Sequence, residues 1–174
     1  MKQVPPAKKC QAGFTLVEML CTAATLLLIS MLMVTGIKLA VDTYTESIML
    51  SEAQVLCATL KTLVSDELRY AGSLATEQRE TDSGEMQTVV TGFFSQTYGK
   101  DVTFQEQDGQ LLLGGKKLLP ANAYPHGLKA SLQMDSFTVS TRVFYVTLRI
   151  TNSRGDHILS QAEFDVKQLN EPAQ

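Results

Sequence analysis

The residue whose type and position most demand a chemical explanation is Glu18. From Phe14 to Ile37 it is the one charged side chain. That run is about 24 residues long, or about 36 Å as a helix, enough to cross the ~30 Å hydrocarbon core of a bilayer. A carboxylate at membrane depth costs on the order of a few kcal/mol, so it calls for a function and for a partner that neutralises it. Gly13-Phe14-Thr15-Leu16-Val17 leads into it, and the segment before Gly13 carries only basic charges, Lys2, Lys8 and Lys9.

Elsewhere the residue types give little to build a reaction on. The two histidines, His126 and His157, stand in loop or turn settings, and with Cys21 and Cys57 on a helix no spacing suits zinc. No glycine-rich phosphate loop, nucleophile elbow or catalytic carboxylate pair stands out. The chain therefore reads as a non-enzyme without a cofactor or metal. Asp101, Asp108 and Asp156 sit by turns, where aspartate serves the backbone. A calcium site among them would lack regular ligand spacing. Arg154-Gly155-Asp156 spells an integrin-type tripeptide, but glycine and aspartate at a hairpin tip are ordinary turn chemistry. Lys116-Lys117 with Lys129 would make a small basic patch. Residues 1–13 hold three lysines and no acid, so without them the formal charge moves from −3 to −6. That argues against general nucleic-acid affinity, although a local patch would still reach DNA.

Taken in order, Lys8-Lys9, Gly13, Phe14-Thr15-Leu16-Val17-Glu18 and a membrane-length apolar run resemble the class III signal sequence of type IV prepilins and type II secretion pseudopilins. The likeness covers about residues 1–45 and rests on the order small residue, aromatic, apolar pair, glutamate. It implies a prepilin peptidase that cuts between Gly13 and Phe14 on the cytoplasmic side, Gly13 being suited because a side chain there would crowd the scissile bond. Phe14 would become the new N-terminus and would be N-methylated. Glu18 would pair with the amino terminus of a neighbouring subunit's Phe14 and so set axial register. The electrostatics agree, since a carboxylate inside a low-dielectric helix bundle is tolerable when an ammonium neutralises it. Other pilin subunits, an assembly platform with its ATPase, and the membrane are the remaining partners that the resemblance implies.

Three other readings fit parts of the same stretch. A conventional secretory signal has an apolar core of about 7–15 residues and a small-residue cleavage site. This run is longer, and Lys38-Leu39-Ala40 fits such a site poorly. A lipoprotein signal needs a small residue before its acceptor cysteine, and Cys21 follows Met19-Leu20. A plain single-pass anchor with an incidental glutamate satisfies the insertion energetics.

The elements that would position these groups follow from periodicity. Pro5-Pro6 keeps the leader non-helical. No proline occurs between Pro6 and Pro120, which favours one long helix from Phe14. Thr35-Gly36 is a soft point costing only about 1 kcal/mol relative to alanine. From Asp42 the pattern becomes amphipathic. Met49, Ala53, Leu56, Leu60 and Leu63 recur at spacings of four and three, broadened by Val64 and Leu68. Gly72 suits a C-terminal cap.

Residues 72–87 are polar and read as a loop. Met86 to Phe94 fits a strand or a short helix. Beyond it, period-two alternation runs through Val102 and Phe104, then Leu128 to Met134, Phe144 to Ile150 and Ile158 to Val166, with Gln107-Asp108-Gly109 as a turn. One apolar face per strand marks an antiparallel sheet covered on a single side.

The fold expected is therefore α+β, pilin-like: a long N-terminal transmembrane and amphipathic helix packed against an antiparallel β-sheet. Its parts would be a leader 1–13, a transmembrane and polymerisation helix 14–41, and an exterior domain 42–174. The last would comprise an amphipathic helix 42–71, a loop 72–87 and a sheet 88–169. Basic residues stay in the cytoplasm, so the exterior domain would lie outside. The precursor would sit in the cytoplasmic membrane and the mature form in a pilus or pseudopilus.

Cys21 and Cys57 lie about 54 Å apart along a continuous helix, too far to pair within one subunit, whose Cα atoms must approach to about 7 Å. Many pilins staple their C-terminal region with a cysteine pair, and this chain departs from that.

The function this implies is a structural subunit. The alternatives are a minor pilin that acts as a binding module in DNA uptake, adhesion or cargo capture, and a plain membrane-anchored domain. Gly13→Leu is expected to leave the leader attached, which the mass of the membrane-bound chain reads directly.

Overall fold

The computed structural model describes residues 15–80 and 86–170. The expected leader 1–13, the expected cleavage pair Gly13 and Phe14, and the segment 81–85 lie outside the described residues. The chain divides into two units, Met1–Thr45 and Glu46–Gln174. One helix, α1 (Leu16–Arg69), supplies the first unit and opens the second. Its run without proline and its uninterrupted good helix formers explain its length.

In the first unit α1 is apolar on every side, and no residue from Thr15 to Thr45 is buried. Leu16, Leu27 and Leu32 keep 78%, 72% and 72% of their surface exposed. The helix is long and apolar enough to cross a membrane.

In the second unit α1 becomes one wall of a core. Ala53, Leu56, Cys57, Leu60, Val64 and Leu68 are buried, at the three- and four-residue spacing that the sequence stripe predicts. Met49 and Leu63 are only half-buried, and Cys57 takes a core place that the stripe had not assigned.

Among the described residues nine strands follow: β1 (Leu74–Glu80), β2 (Met86–Ser95), β3 (Lys100–Val102), β4 (Phe104–Gln107), β5 (Gln110–Leu113), β6 (Lys116–Lys117), β7 (Lys129–Thr138), β8 (Val143–Thr151) and β9 (Ile158–Lys167). They form three antiparallel three-stranded sheets, β1-β2-β3, β4-β5-β6 and β7-β8-β9. The fold is thus α+β, with the distal part of the N-terminal helix packed on antiparallel sheets.

Three expectations need correction. The segment 72–87 is not all loop, because β1 occupies most of its first half and pairs with β2. Periodicity could not find β1, since it is exposed along almost its whole length and is held by its backbone ladder. Nor is 88–169 one sheet. Val102 and Phe104 belong to different sheets, separated at Thr103, whose carbonyl accepts a hydrogen bond from Gly114 N–H at 3.1 Å. Finally, Gly72 does not cap α1 in a left-handed conformation. It gives close approach instead: a Cβ there would lie 3.1 Å from Phe94 Cβ.

The helix end is capped from the far end of the sheet unit. Leu169 N–H donates to Arg69 O at 2.8 Å. Asn170 Nδ2 donates to Tyr70 O at 2.8 Å. Gln168 Nε2 donates to Ala71 O and Gly72 O at 2.9 and 2.8 Å. These carbonyls would otherwise lack partners.

Central strand β8 alternates as expected, with Phe144, Val146, Leu148 and Ile150 all buried. The turn between β4 and β5 uses left-handed φ at both Asp108 (54°) and Gly109 (73°), the geometry of a tight two-residue hairpin. In β9, Ile158 is 55% exposed despite its place in the alternation, because the pairing with β8 shifts between Ile150 and Thr151. Two apolar clusters result. Val64 and Leu68 anchor one with Phe93, Phe137 and Phe144, and Leu56 and Leu60 anchor the other with Leu111, Leu148 and Ile150.

Gln168 is 5% exposed, so removing its amide strands two buried carbonyls. Gln168→Ala is expected to lower the unfolding free energy by about 1–3 kcal/mol, measured by urea unfolding of the detergent-solubilised chain.

Candidate functional site

The first turn of α1 is built by Thr15 and Glu18. Thr15 precedes the helix, and its carbonyl accepts from Met19 N–H at 3.2 Å. Its Oγ1 accepts from Glu18 N–H at 3.3 Å and donates to Glu18 Oε2 at 3.5 Å. Thr15 is thus the N-cap and Glu18 the third helical residue, the arrangement of a capping box. The carboxylate also lies against the positive end of the helix dipole. Both contacts are long, so the cap leaves Glu18 Oε1 and much of Oε2 available to another donor. Among the described residues no cation pairs with it.

Sequence reasoning missed Thr15. The signal was present as a threonine, two apolar residues and a glutamate, directly ahead of an apolar run.

The rest of the apolar segment meets its own polar needs. The hydroxyls of Thr22, Thr25, Ser30 and Thr35 each donate to a carbonyl three or four residues back, at 2.8–3.2 Å. Such bonds let a hydroxyl stand in hydrocarbon without an external acceptor. Cys21 is exposed on this segment and Cys57 is buried in the sheet unit, both as free thiols.

The remaining sequence candidates are not gathered into one place. His126 lies beside Glu52, whose Oε2 is 3.3 Å from His126 Nε2. His157 is in the β8–β9 turn, where its carbonyl accepts from Asn152 N–H at 3.0 Å. Arg154-Gly155-Asp156 forms the tip of that turn, with Gly155 N–H donating to Asn152 Oδ1 at 2.9 Å. The Asn152 side chain holds the Asp156 carboxyl below its ordinary range. Asp101 lies in β3, and Asp108 is in the β4–β5 turn.

The lysines divide. Lys116 Nζ lies 5.2 Å from the Tyr98 ring centroid, whereas the Lys129 stem runs against Gly109. No group of three or more metal-ligating side chains is found among the described residues. Glu67 ties α1 to the end of β2 and the turn after it by accepting from Ser95 at 3.0 Å and Thr97 at 2.6 Å.

Comparison with known proteins finds no matching family model, no matching curated protein and no matching solved structure.

Thr15→Ala removes the cap but not the carboxylate. It is expected to cost about 1 kcal/mol of local helix stability, seen as faster amide exchange at residues 17–19 with the sheet unit unchanged.

Proposed function

We propose that this chain is a structural subunit of a type IV pilus or a type II secretion-like pseudopilus. It would be made as a membrane precursor, cut between Gly13 and Phe14 by a prepilin peptidase, N-methylated at Phe14 and polymerised through α1. The observation that carries the reading is an apolar helix surface, uncovered from Leu16 to Tyr44, that holds one carboxylate in its first turn.

Such a surface needs an apolar environment. A bilayer supplies one before assembly, and the same segments of neighbouring subunits supply one after it. The back-bonded hydroxyls suit both, because they ask nothing of either. Transfer between the two environments changes little in apolar burial, so it needs work from outside the chain, from an assembly platform and its ATPase. Glu18 discriminates between them. In the bilayer it lies near a water interface, and in a bundle it needs an ammonium, which the methylated Phe14 terminus of a neighbour would provide. The basic leader keeps residues 1–13 in the cytoplasm and the sheet unit outside.

The Thr15–Glu18 cap also favours a second reading, a plain membrane anchor, because it gives the carboxylate a local role without any neighbour. One variant tests the role of Glu18. Glu18→Ala is expected to be inserted and cut normally but to be lost from sheared filaments, read by immunoblot of membrane and sheared fractions. Incorporation at the level of the unaltered chain would remove the register role of Glu18, whereas a mature chain that still begins at Met1, or an unaltered chain missing from sheared filaments, would favour the anchor.

A further inference from the structure

A groove on the sheet unit has a composition that its own chain does not complete. It lies between α1 and the segment after Leu118, with a volume of about 350 Å³. Val55 and Leu56 form one wall, and Leu119, Ala123 and Pro125 form the other. The outer wall is held in place by Tyr124, whose hydroxyl accepts from Leu111 N–H at 3.3 Å. Burial pushes the Tyr124 phenol up, so it stays neutral as an acceptor. Val55 is 66% exposed, the most open large apolar side chain on α1 beyond Thr45.

Glu52 stands at the edge of this groove. Its Oε2 is buried and makes no hydrogen bond. His126 Nε2 lies 3.3 Å from that oxygen and pairs with it when the imidazole is protonated, on a side chain that is itself half exposed. Thr59, also on the rim, has spent its hydroxyl on Val55 O at 2.8 Å. An apolar trough edged by a carboxylate with a half-exposed histidine beside it and no hydrogen bond to Oε2 fits an apolar segment that carries a cation.

This chain has one such segment left open. Lys38 is flanked by Ile37 at 66% and Leu39 at 69% exposure, with Val41 at 57%. Among the described residues it is the cation with exposed large apolar side chains on both sides. We infer that the groove seats the Ile37-Lys38-Leu39 segment of a second copy, with that copy's Lys38 ammonium on Glu52 and its apolar neighbours against Val55 and Pro125. The inference rests on the filament reading and adds to it a second point of contact between subunits, outside the apolar run. The two pairs need different staggers along α1, about 6 Å for Glu18 on Phe14 and about 21 Å for Glu52 on Lys38, so they would join each subunit to two different neighbours.

The test uses two differently tagged copies of the full chain, expressed together and co-isolated from detergent-solubilised membranes. Glu52→Lys alone and Lys38→Glu alone are each expected to lower co-isolation about tenfold or more, and a chain with both changes to recover most of it. Val55→Lys, at an already open position, is expected to give a similar loss. Protease resistance of the sheet unit in each variant separates lost docking from lost folding. If Glu52→Lys does not fold, Lys38→Glu and Val55→Lys decide together.

Undiminished co-isolation with Lys38→Glu overturns the pairing, and so does a doubly changed, folded chain that fails to recover. Loss with Glu52→Lys but not with Lys38→Glu means that the groove takes a cation from elsewhere, which also overturns it. If these variants associate normally while Glu18→Ala does not, docking at the groove is wrong and the filament reading stands. If the unaltered copies do not associate at all, docking at the groove is overturned, while the filament reading is decided by the sheared fractions.

Discussion

An apolar helix surface that its own chain leaves uncovered is the constraint from which the rest follows. Burying a leucine, isoleucine or phenylalanine side chain is worth about 1.5–3 kcal/mol. The stretch from Leu16 to Val41 carries fifteen large apolar side chains with over half their surface open, nine of them leucine or isoleucine. Water is not a tolerable solvent for it. Either lipid or another helix of the same kind must surround it, and both demand that polar atoms be satisfied from within. The threonine and serine hydroxyls comply by bonding to the preceding turn. Glu18 complies only in part, through a long contact to Thr15.

The second unit solves a different problem with the same helix. Here α1 has an apolar stripe rather than an apolar circumference, and sheets cover the stripe. The last helical carbonyl, Arg69 O, and those of Tyr70, Ala71 and Gly72 just beyond it need donors. Residues 168–170, directly after β9, supply them, so the end of the helix is tied to the end of the chain's last strand. Glu67 adds a second tie by accepting two hydroxyls from the end of β2 and the turn after it. These bonds explain how a sheet unit without a disulfide among its described residues is fastened to its helix. Two apolar clusters and a set of long-range hydrogen bonds do the work that a cysteine pair does in many small domains.

Much of this was legible in residue order alone. The length and hydropathy of the first run announce a membrane-length helix, because every position in it except Glu18 is apolar or small. Spacings of three and four located Ala53, Leu56 and Leu60 on the packed face, and alternation located the buried residues of β8. Asp108-Gly109 announced its hairpin, because few other pairs accept left-handed φ at two successive positions. At the candidate site Glu18 was conspicuous from the sequence as a lone charge, and Thr15 was readable as its cap had the threonine-to-glutamate spacing been noticed.

What the sequence determined by itself is everything carried by short-range pattern: the uncovered helix, the stripe, the alternating strands and the isolated carboxylate. What only the tertiary structure decided depends on residues distant in the chain. The first and second sheets part at Thr103, and the third is set off by the segment between Lys117 and Lys129 with its two 3₁₀ turns. β1 exists because β2 offers it a ladder, not because its own side chains alternate. The end of α1 is finished by a glutamine, a leucine backbone amide and an asparagine from beyond β9, and Glu52 meets His126 because two 3₁₀ turns bring that loop to the helix. Local pattern encodes what a segment can bury, whereas hydrogen-bond partners are assigned by which segments arrive beside one another, and that is fixed only when the chain has folded.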